Sequence, residues 1–169
     1  TATPIPRTLA MSVYGDLDFS IIRELPPGRK QIKTFLMGEN NRLRLFKFLK
    51  EQIELGKQIF IVYPLIEESQ KMDYKDLMDG YESICREFPL PKYRISVMHG
   101  KMKTEDKDYE MKRFLEGKSQ IMVSTTVIEV GVNIPNANVM VIESSERFGL
   151  SQLHQLRGRV GRGNEQSFC

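Results

Sequence analysis

Four short apolar runs limit what this chain can fold into. Each is about five residues long, rich in Val and Ile, and continuous rather than alternating: Ile59–Tyr63, Arg94–Met98, Ile121–Thr125 and Val139–Glu143. Continuous runs of this length are typical of strands buried on both faces of a parallel sheet. A fifth run, Gln31–Met37, alternates more, so we expect it nearer an edge of the sheet.

Helical patterns separate these runs. The predicted helices cover residues 40–55, 74–88 and 104–116, with Thr104 as the N-cap of the third, and Ser151 is predicted to cap a fourth. Strict alternation of strand and helix predicts right-handed βαβ units and a doubly wound α/β domain, a parallel sheet flanked by helices. Pro26-Pro27-Gly28 is typical of a linker, and it separates residues 1–28 from residues 29–169.

The composition bounds the possible functions. A chain with 40% hydrophobic and 28% charged residues is a soluble globular protein, and a net charge of +3 is too small to indicate nucleic-acid binding without a local patch. Cys85 and Cys169 show no metal-binding or redox spacing, and His99 and His154 are too isolated for a metal site. The chain contains no signal peptide and no long apolar run. We therefore expect a cytoplasmic protein with no metal site and no membrane contact.

Polar residues follow three of the predicted strands. They are His99-Gly100, Ser124-Thr125-Thr126 and Glu143-Ser144-Ser145. In open parallel sheets, ligands bind beyond the carboxyl ends of the strands, so the sequence predicts a site at this edge.

An arginine-rich run lies near the end of the chain, at Gln155-Leu156-Arg157-Gly158-Arg159-Val160-Gly161-Arg162. The guanidinium group is a planar fork of donors that matches phosphate oxygens and stays charged. Arg159 and Arg162 are three residues apart and would share a face of a helical turn. Gly158 and Gly161 remove side-chain bulk where a ligand or a second backbone comes close. The alternative is a solvated basic loop at a helix end.

A complete ATP site is missing from the sequence. The only candidate phosphate loop, Gly117-Lys118-Ser119, has Lys112 in place of the required first glycine, and it ends a helix instead of opening one. No Asp-Glu pair follows an apolar strand to hold magnesium. The arginines would therefore complete a phosphate site that is built elsewhere.

The motifs in this order resemble those of superfamily 2 helicases. The arginine run resembles their sixth motif, residues 125–135 resemble the fifth, Thr1-Ala2-Thr3 resembles the third, and His99-Gly100-Lys101-Met102 resembles a loop that faces nucleic acid. Residues 1–9 and 152–163 are similar to the RecG-type branch of the superfamily and to its transcription-repair coupling cousin. Residues 24–29 and 65–69 look more like the RecG type. The resemblance implies a RecA-like fold, in which residues 1–28 end the first motor lobe and form the linker. Residues 29–169 would be the helicase C-terminal lobe, truncated at its C-terminus.

The resemblance also implies roles for individual residues. Arg159 and Arg162 would be arginine fingers on the γ-phosphate of ATP, and Gln155 would position them or contact the phosphates. The residues close to the nucleotide would be Gly131, Asn133 and Gly158. The residues that contact the DNA backbone would be His99, Gly100, Ser124, Thr125 and Thr126. The residues that couple the two lobes would be Thr1, Ala2 and Thr3. Many relatives have Asp where this chain has Asn133. ATP and Mg²⁺ would be bound mainly by the first lobe.

The expected function is thus the C-terminal motor lobe of an ATP-dependent DNA helicase. Such an enzyme would remodel branched DNA and stalled replication forks as a monomer, with the first lobe of the same protein as the partner of this one. Two alternatives remain: a lobe of the related transcription-repair coupling translocase or of an RNA helicase, or a non-catalytic nucleic-acid- or protein-binding module with a helicase-like fold.

Overall fold

The computed structural model describes residues 29–64, 70–125, 134 and 136–169. The strands of this part of the chain are β1 (Gln58–Tyr63), β2 (Ile95–Met98), β3 (Ile121–Thr125) and β4 (Ala137–Ile142). Its α-helices are α1 (Arg42–Glu54), α2 (Gln70–Glu87), α3 (Thr104–Leu115) and α4 (Leu150–Arg157). Two short 3₁₀ helices cover Glu39–Asn41 and Ser145–Arg147.

The four strands form one parallel sheet in the order β2-β3-β1-β4. In register, Ile59 lies between Ile121 of β3 and Val139 of β4, and Ile95 pairs with Ile121 from the other side. Every residue of the central strands β1 and β3 is buried, which is why their sequences are apolar without alternation. The predicted parallel α/β fold is confirmed.

Helices cover both faces of the sheet. Alternate residues of β1 point to opposite sides, so Ile59 and Ile61 belong to one apolar cluster, and Phe60 and Val62 to the other. The first cluster takes its helical partners from α1 and α2, namely Phe46, Leu49, Leu77 and Ile84. The second takes Phe114 of α3 and Leu156 of α4. The sheet is therefore the middle of three layers, and its two ends are left for polar side chains.

The predicted strand over Gln31–Met37 is not formed. Only Lys33 makes a β-bridge, with Phe168, and Phe168 in turn bridges Val139 of β4. The segment thus lies beyond β4, as its edge-like pattern indicated, but it contacts the last three residues of the chain and not a strand of the sheet. Phe35, Leu36 and Met37 face outward, with Leu36 92% exposed, whereas Ile32 packs against the second apolar cluster.

Two predicted helix caps are wrong by one or two residues. Thr104 is the first residue of α3 and Lys103 occupies the N-cap without a side-chain hydrogen bond; Glu105 and Asp106 in the first turn instead complement the helix dipole. Helix α4 begins at Leu150, before Ser151. Its N-cap is Gly149, whose N–H donates to Oε1 of Gln152 at 3.1 Å. In both helices, side chains of the first turn therefore stabilise the N-terminus in place of the predicted cap residues.

Candidate phosphate- and nucleic-acid-binding site

The carboxyl ends of β2 and β3 meet at one edge of the sheet. Ser124 pairs with Met98 of β2 on one side and with Val62 of β1 on the other, and His99 follows Met98 directly. Parallel pairing therefore brings His99, Ser124 and Thr125 together, as the sequence predicted. The Ser124 hydroxyl is fully buried and has no hydrogen-bond partner among the described residues. An unpartnered buried hydroxyl costs about 1–3 kcal/mol, so this edge favours a ligand or chain segment that can bond to it.

The environment of His99 is positively charged. Burial, followed by the charges of Lys101 and Lys107, lowers the pKa of His99 below its usual value. The Lys107 ammonium donates to the carbonyl oxygen of Gly100 at 3.4 Å and so stays beside the turn. At neutral pH the turn presents an uncharged imidazole flanked by two lysines, an arrangement that suits a phosphate group.

The carboxyl ends of β1 and β4 carry a cluster that the sequence analysis missed. Nη1 of Arg42 lies 3.2 Å from Oε1 of Glu143 and 3.3 Å from Oε2. The buried phenol of Tyr63 lies beside this pair; burial, and then the charge of Glu143, raises the pKa of Tyr63 to about 12. The sequence showed Glu143 at a strand end, but its partner is 101 residues away, so no local pattern could identify the pair. The pair joins the start of α1 to the end of β4.

A groove of about 490 Å³ lies beside β4. Its walls are the outer edge of β4, helix α1 and the exposed segment 34–38, and Cys169 lies in its lining. Arg157 and His154 of α4 border the groove, with Nη2 of Arg157 3.2 Å from Nδ1 of His154. Neither Arg159 nor Arg162 lines it, so the groove and the arginine run are separate features.

The arginine run is not a continuation of α4. The helix ends at Arg157, with Gly158 as its C-cap, and two further bonds of the i→i+3 type carry the turn to Val160. Gly161 then turns the chain with a φ of 74°. The prediction that Arg159 and Arg162 share a helical face is therefore wrong, because a left-handed residue lies between them.

Three arginines nevertheless converge at this turn. Burial, followed by the charges of Arg159 and Arg29, lowers the pKa of Arg162. Nε of Arg162 is buried and has no hydrogen-bond partner among the described residues. No described carboxylate forms an ion pair with Arg29, Arg159 or Arg162. Since arginines keep their charge, clustering them without a carboxylate is unfavourable unless an anion completes the group. The cluster therefore fits a polyphosphate.

Gly158 and Gly161 differ in whether the backbone conformation and the packing at their positions require a glycine. Gly161 combines a left-handed φ with close packing, because an added Cβ would lie 3.0 Å from Cγ1 of Ile32. Gly158 has an ordinary φ of −68°, and an added Cβ would lie 3.4 Å from the nearest atom, the carbonyl oxygen of Gln155. Backbone geometry and packing thus explain Gly161, whereas neither requires a glycine at position 158. The Gln155 side chain is exposed on α4.

A family comparison decides what kind of domain this is. Residues 42–164 match the family described as the helicase conserved C-terminal domain. The chain belongs to this helicase C-terminal domain family. The match runs from the start of α1 to just beyond Arg162, so it includes the carboxyl edge of the sheet, Arg159 and Arg162, but not Arg29.

Relatives of this helicase domain are similar over its whole length. It is 51% identical over 169 residues to the ATP-dependent DNA helicase RecG of Thermotoga maritima, covering 22% of that protein, and 51% identical to RecG of Bacillus subtilis, covering 25%. It matches the structure of RecG bound to a three-way DNA junction with a TM-score of 0.77 and 48% identity, over 99% of this chain and 21% of that one. The predicted resemblance is confirmed. The chain spans about a quarter or less of the length of these relatives.

A more distant structure shares the fold. Domain 2 of the DEAD-box helicase Mss116p bound to an RNA duplex matches 76% of the helicase domain and covers 48% of that chain, at 22% identity and a TM-score of 0.59. At this identity the likeness concerns the parallel sheet with its flanking helices.

Several predicted site residues of the helicase domain lie outside the described residues. They are Thr1, Ala2, Thr3, Thr126, Gly131 and Asn133, and the proposed boundary at residue 28 lies there as well. Among the described residues, no group of three or more His, Cys, Asp or Glu side chains could hold a metal ion. In the same part of the chain, no helix is long and apolar enough to cross a membrane.

Proposed function

We propose that this chain is the C-terminal motor lobe of an ATP-dependent DNA helicase that remodels branched DNA and stalled replication forks. The observation that carries the proposal is the arginine cluster. Arg159 and Arg162 form half of a phosphate site, in a sequence that has no phosphate loop. The buried Nε of Arg162 has no partner within the described part of the chain. The similarity to RecG, solved on a three-way DNA junction, supports branched DNA as the substrate.

In this proposal, ATP and Mg²⁺ are held mainly by the first lobe of the same protein. Arg159 and Arg162 reach across the cleft to the γ-phosphate, where negative charge spreads in the transition state. An arginine finger of this kind is worth about 10³–10⁵ in kcat. Gln155 orients the run from the exposed side of α4, while Gly131 and Asn133, taken from the resemblance, lie near the nucleotide.

The carboxyl edge around His99 would hold the DNA. Ser124, Thr125 and Thr126 offer hydroxyls, and the Gly100 turn carries the lysine charges, so these groups bond to phosphates without reading sequence. Opening and closing of the cleft during ATP turnover would shift this edge and move DNA past the protein. The protein would act as a monomer in the cytoplasm.

The decisive experiment measures DNA-stimulated ATP hydrolysis by the full-length protein with Arg159→Ala or Arg162→Ala. We expect a loss of about 10³-fold or more in kcat, with affinity for forked DNA largely retained. Arg86→Ala, an exposed arginine at the end of α2, is the matched control and should keep full activity. Unchanged hydrolysis in both cluster variants would favour a non-catalytic binding module and contradict the proposal.

A second measurement tests the half-site directly. Residues 1–169 alone should hydrolyse no ATP, because the phosphate loop and the magnesium carboxylates are missing from them. DNA-stimulated turnover by this segment alone would contradict the assignment. RNA-stimulated turnover, or stimulation by RNA polymerase, in the full-length protein would instead point to an RNA helicase or to the transcription-repair coupling translocase.

A further inference from the structure

We propose that Arg29 is a positioning residue for ATP hydrolysis, which fixes the backbone of the arginine run by binding the carbonyl oxygen of Gly161. The inference rests on the proposed function, in which Arg162 meets the γ-phosphate. It adds a role for a residue that lies outside the arginine motif and outside the matched family region, since that region begins at residue 42.

The contact itself is short and long-range. Nε of Arg29 donates to the carbonyl oxygen of Gly161 at 2.8 Å, across 132 residues of sequence, in a part-buried position. Among the described residues, Arg29 makes no other hydrogen bond and no ion pair. Its Nε is therefore committed to this carbonyl, while the rest of its guanidinium group has no protein partner in the described part of the chain.

The bonded carbonyl is placed where it controls Arg162. The oxygen of Gly161 and the backbone nitrogen of Arg162 belong to the same peptide group, which is planar. Holding the oxygen therefore restrains the orientation of this plane, and with it the position of the Cα atom from which the Arg162 side chain leaves the backbone. Because Gly161 has a φ of 74° and can reach many conformations, the turn needs an outside contact to select one.

Neighbouring contacts make the same connection. An added Cβ on Gly161 would meet Ile32, three residues after Arg29, at 3.0 Å. Nε2 of Gln166 donates to the carbonyl oxygen of Gln31 at 2.8 Å, and the N–H of Lys33 donates to the carbonyl oxygen of Ser167 at 3.0 Å. The segment from Arg29 to Lys33 thus contacts Gly161 within the arginine run, and Gln166 and Ser167 after it.

The contact has an electrostatic cost that favours a functional role. Arg29 and Arg159 both place a positive charge close to Arg162, and a bound anion would relieve this repulsion. The proposed positioning role depends on the Nε bond to Gly161 and not on this charge, so the two contributions have to be tested separately.

Three substitutions separate position from charge. Gln places its Nε2 at the same point along the side chain as the Nε of Arg, so Arg29→Gln keeps the donor and removes the charge. Arg29→Lys keeps the charge but displaces the donor by one atom, and Arg29→Leu removes both.

In DNA-stimulated ATPase assays on the full-length protein, we expect Arg29→Leu and Arg29→Lys to lower kcat by about 10–100-fold, the scale of a 1 Å misplacement. Gln should keep most of the activity, and KM for ATP should change less than kcat in all three.

The outcomes distinguish this inference from the proposed function. If Lys kept activity and Gln lost it, Arg29 would contact phosphate by its charge and the positioning role would be overturned; equal activity of all three variants would overturn it as well. Arg86→Gln serves as the control. If Arg159→Ala and Arg162→Ala lowered kcat but the three Arg29 variants did not, only the inference would fail. If none of these variants lowered kcat, the proposed function itself would fail.

Discussion

Arg42 and Glu143 form a partly buried ion pair that links the first turn of α1 to the end of β4. The Arg42 side chain is 29% exposed and that of Glu143 is 17% exposed, so water screens the pair only in part. Arg42 also packs over the Phe46 ring at 5.2 Å. The pair therefore combines charge with packing at the edge where the proposed site lies.

Breaking this pair should destabilise the chain. Removal of one partner leaves a half-buried charge, so Glu143→Gln is expected to lower the free energy of unfolding by about 1–2 kcal/mol, between the values for surface and buried pairs. Urea denaturation checks this. The matched control is Glu54→Gln, which breaks the pair with Lys92 at 3.2 Å, where both side chains are more than 60% exposed. We expect a smaller change there, because water screens an exposed pair, and equal losses in the two variants would contradict the assignment.

Alkaline pH should destabilise the fold through Tyr63. Burial raises its pKa to about 12 in the folded state, above the usual value of 10, so the folded protein keeps the phenol proton that the unfolded chain loses. The contribution is fully present below pH 10 and is lost as the pH rises from 10 to 12, where the full shift corresponds to roughly 2–3 kcal/mol. Tyr63→Phe should flatten this part of the stability curve in urea denaturation. A variant as sensitive as the original chain over this range would show that Tyr63 does not titrate as described.

Gly161 and Gly56 offer a matched comparison of backbone strain with packing. Both have a left-handed φ, 74° and 78°, but an added Cβ at Gly56 meets nothing within 4 Å, whereas at Gly161 it meets Ile32. Gly56→Ala should cost only the conformational penalty of about 1–2 kcal/mol. Gly161→Ala should cost more, and it alone should reduce DNA-stimulated ATP hydrolysis. Equal losses of stability would mean that the Ile32 contact relaxes freely.

DNA affinity should depend on Lys107. Its ammonium lies beside Gly100 at the carboxyl edge of the sheet, so Lys107→Ala is expected to remove about one phosphate contact and to reduce the salt dependence of binding by about one unit of log–log slope. The change should be the same for DNA of any sequence. Lys118→Ala, just before the amino end of β3, is the control and should leave both affinity and slope unchanged. Forked-DNA binding measured over a range of salt concentrations tests both variants.

The sequence predicted those features that arise from local pattern. The run Arg94–Met98 became β2 (Ile95–Met98), and Ile121–Thr125 became β3 with unchanged bounds. Strand β3 is buried on both faces as its continuous run indicated, whereas β2 lies at an edge of the sheet and alternates between buried and half-buried residues. Polar residues directly after these strands could be assigned to one edge, since parallel strands end together. The resemblance to helicase motifs then identified the arginine run.

Features that depend on distant partners could not be read from the sequence. Residues 31–37 look like a strand, but their partner is Phe168, so whether they pair is decided at the other end of the chain. No local pattern around Arg29 indicates its contact with Gly161, because only the fold brings the two residues together. The spacing of Arg159 and Arg162 fits a helix, but the left-handed φ of Gly161 interrupts it. This φ could not be inferred from the sequence, because a glycine at that position could equally be needed for the close approach of a ligand.

The position of β1 in the middle of the sheet has a consequence for how the chain is made. Its neighbours are β3 and β4, so Ile59 finds its first strand partner only at Ile121. During synthesis from the amino end, β1 must leave the ribosome with both edges unpaired and stay so until β3 has followed. Pairings this distant in sequence form slowly, and an apolar strand left open on both edges is prone to aggregate. Expression products that stop before residue 121 should therefore accumulate as insoluble material, whatever the stability of the finished fold.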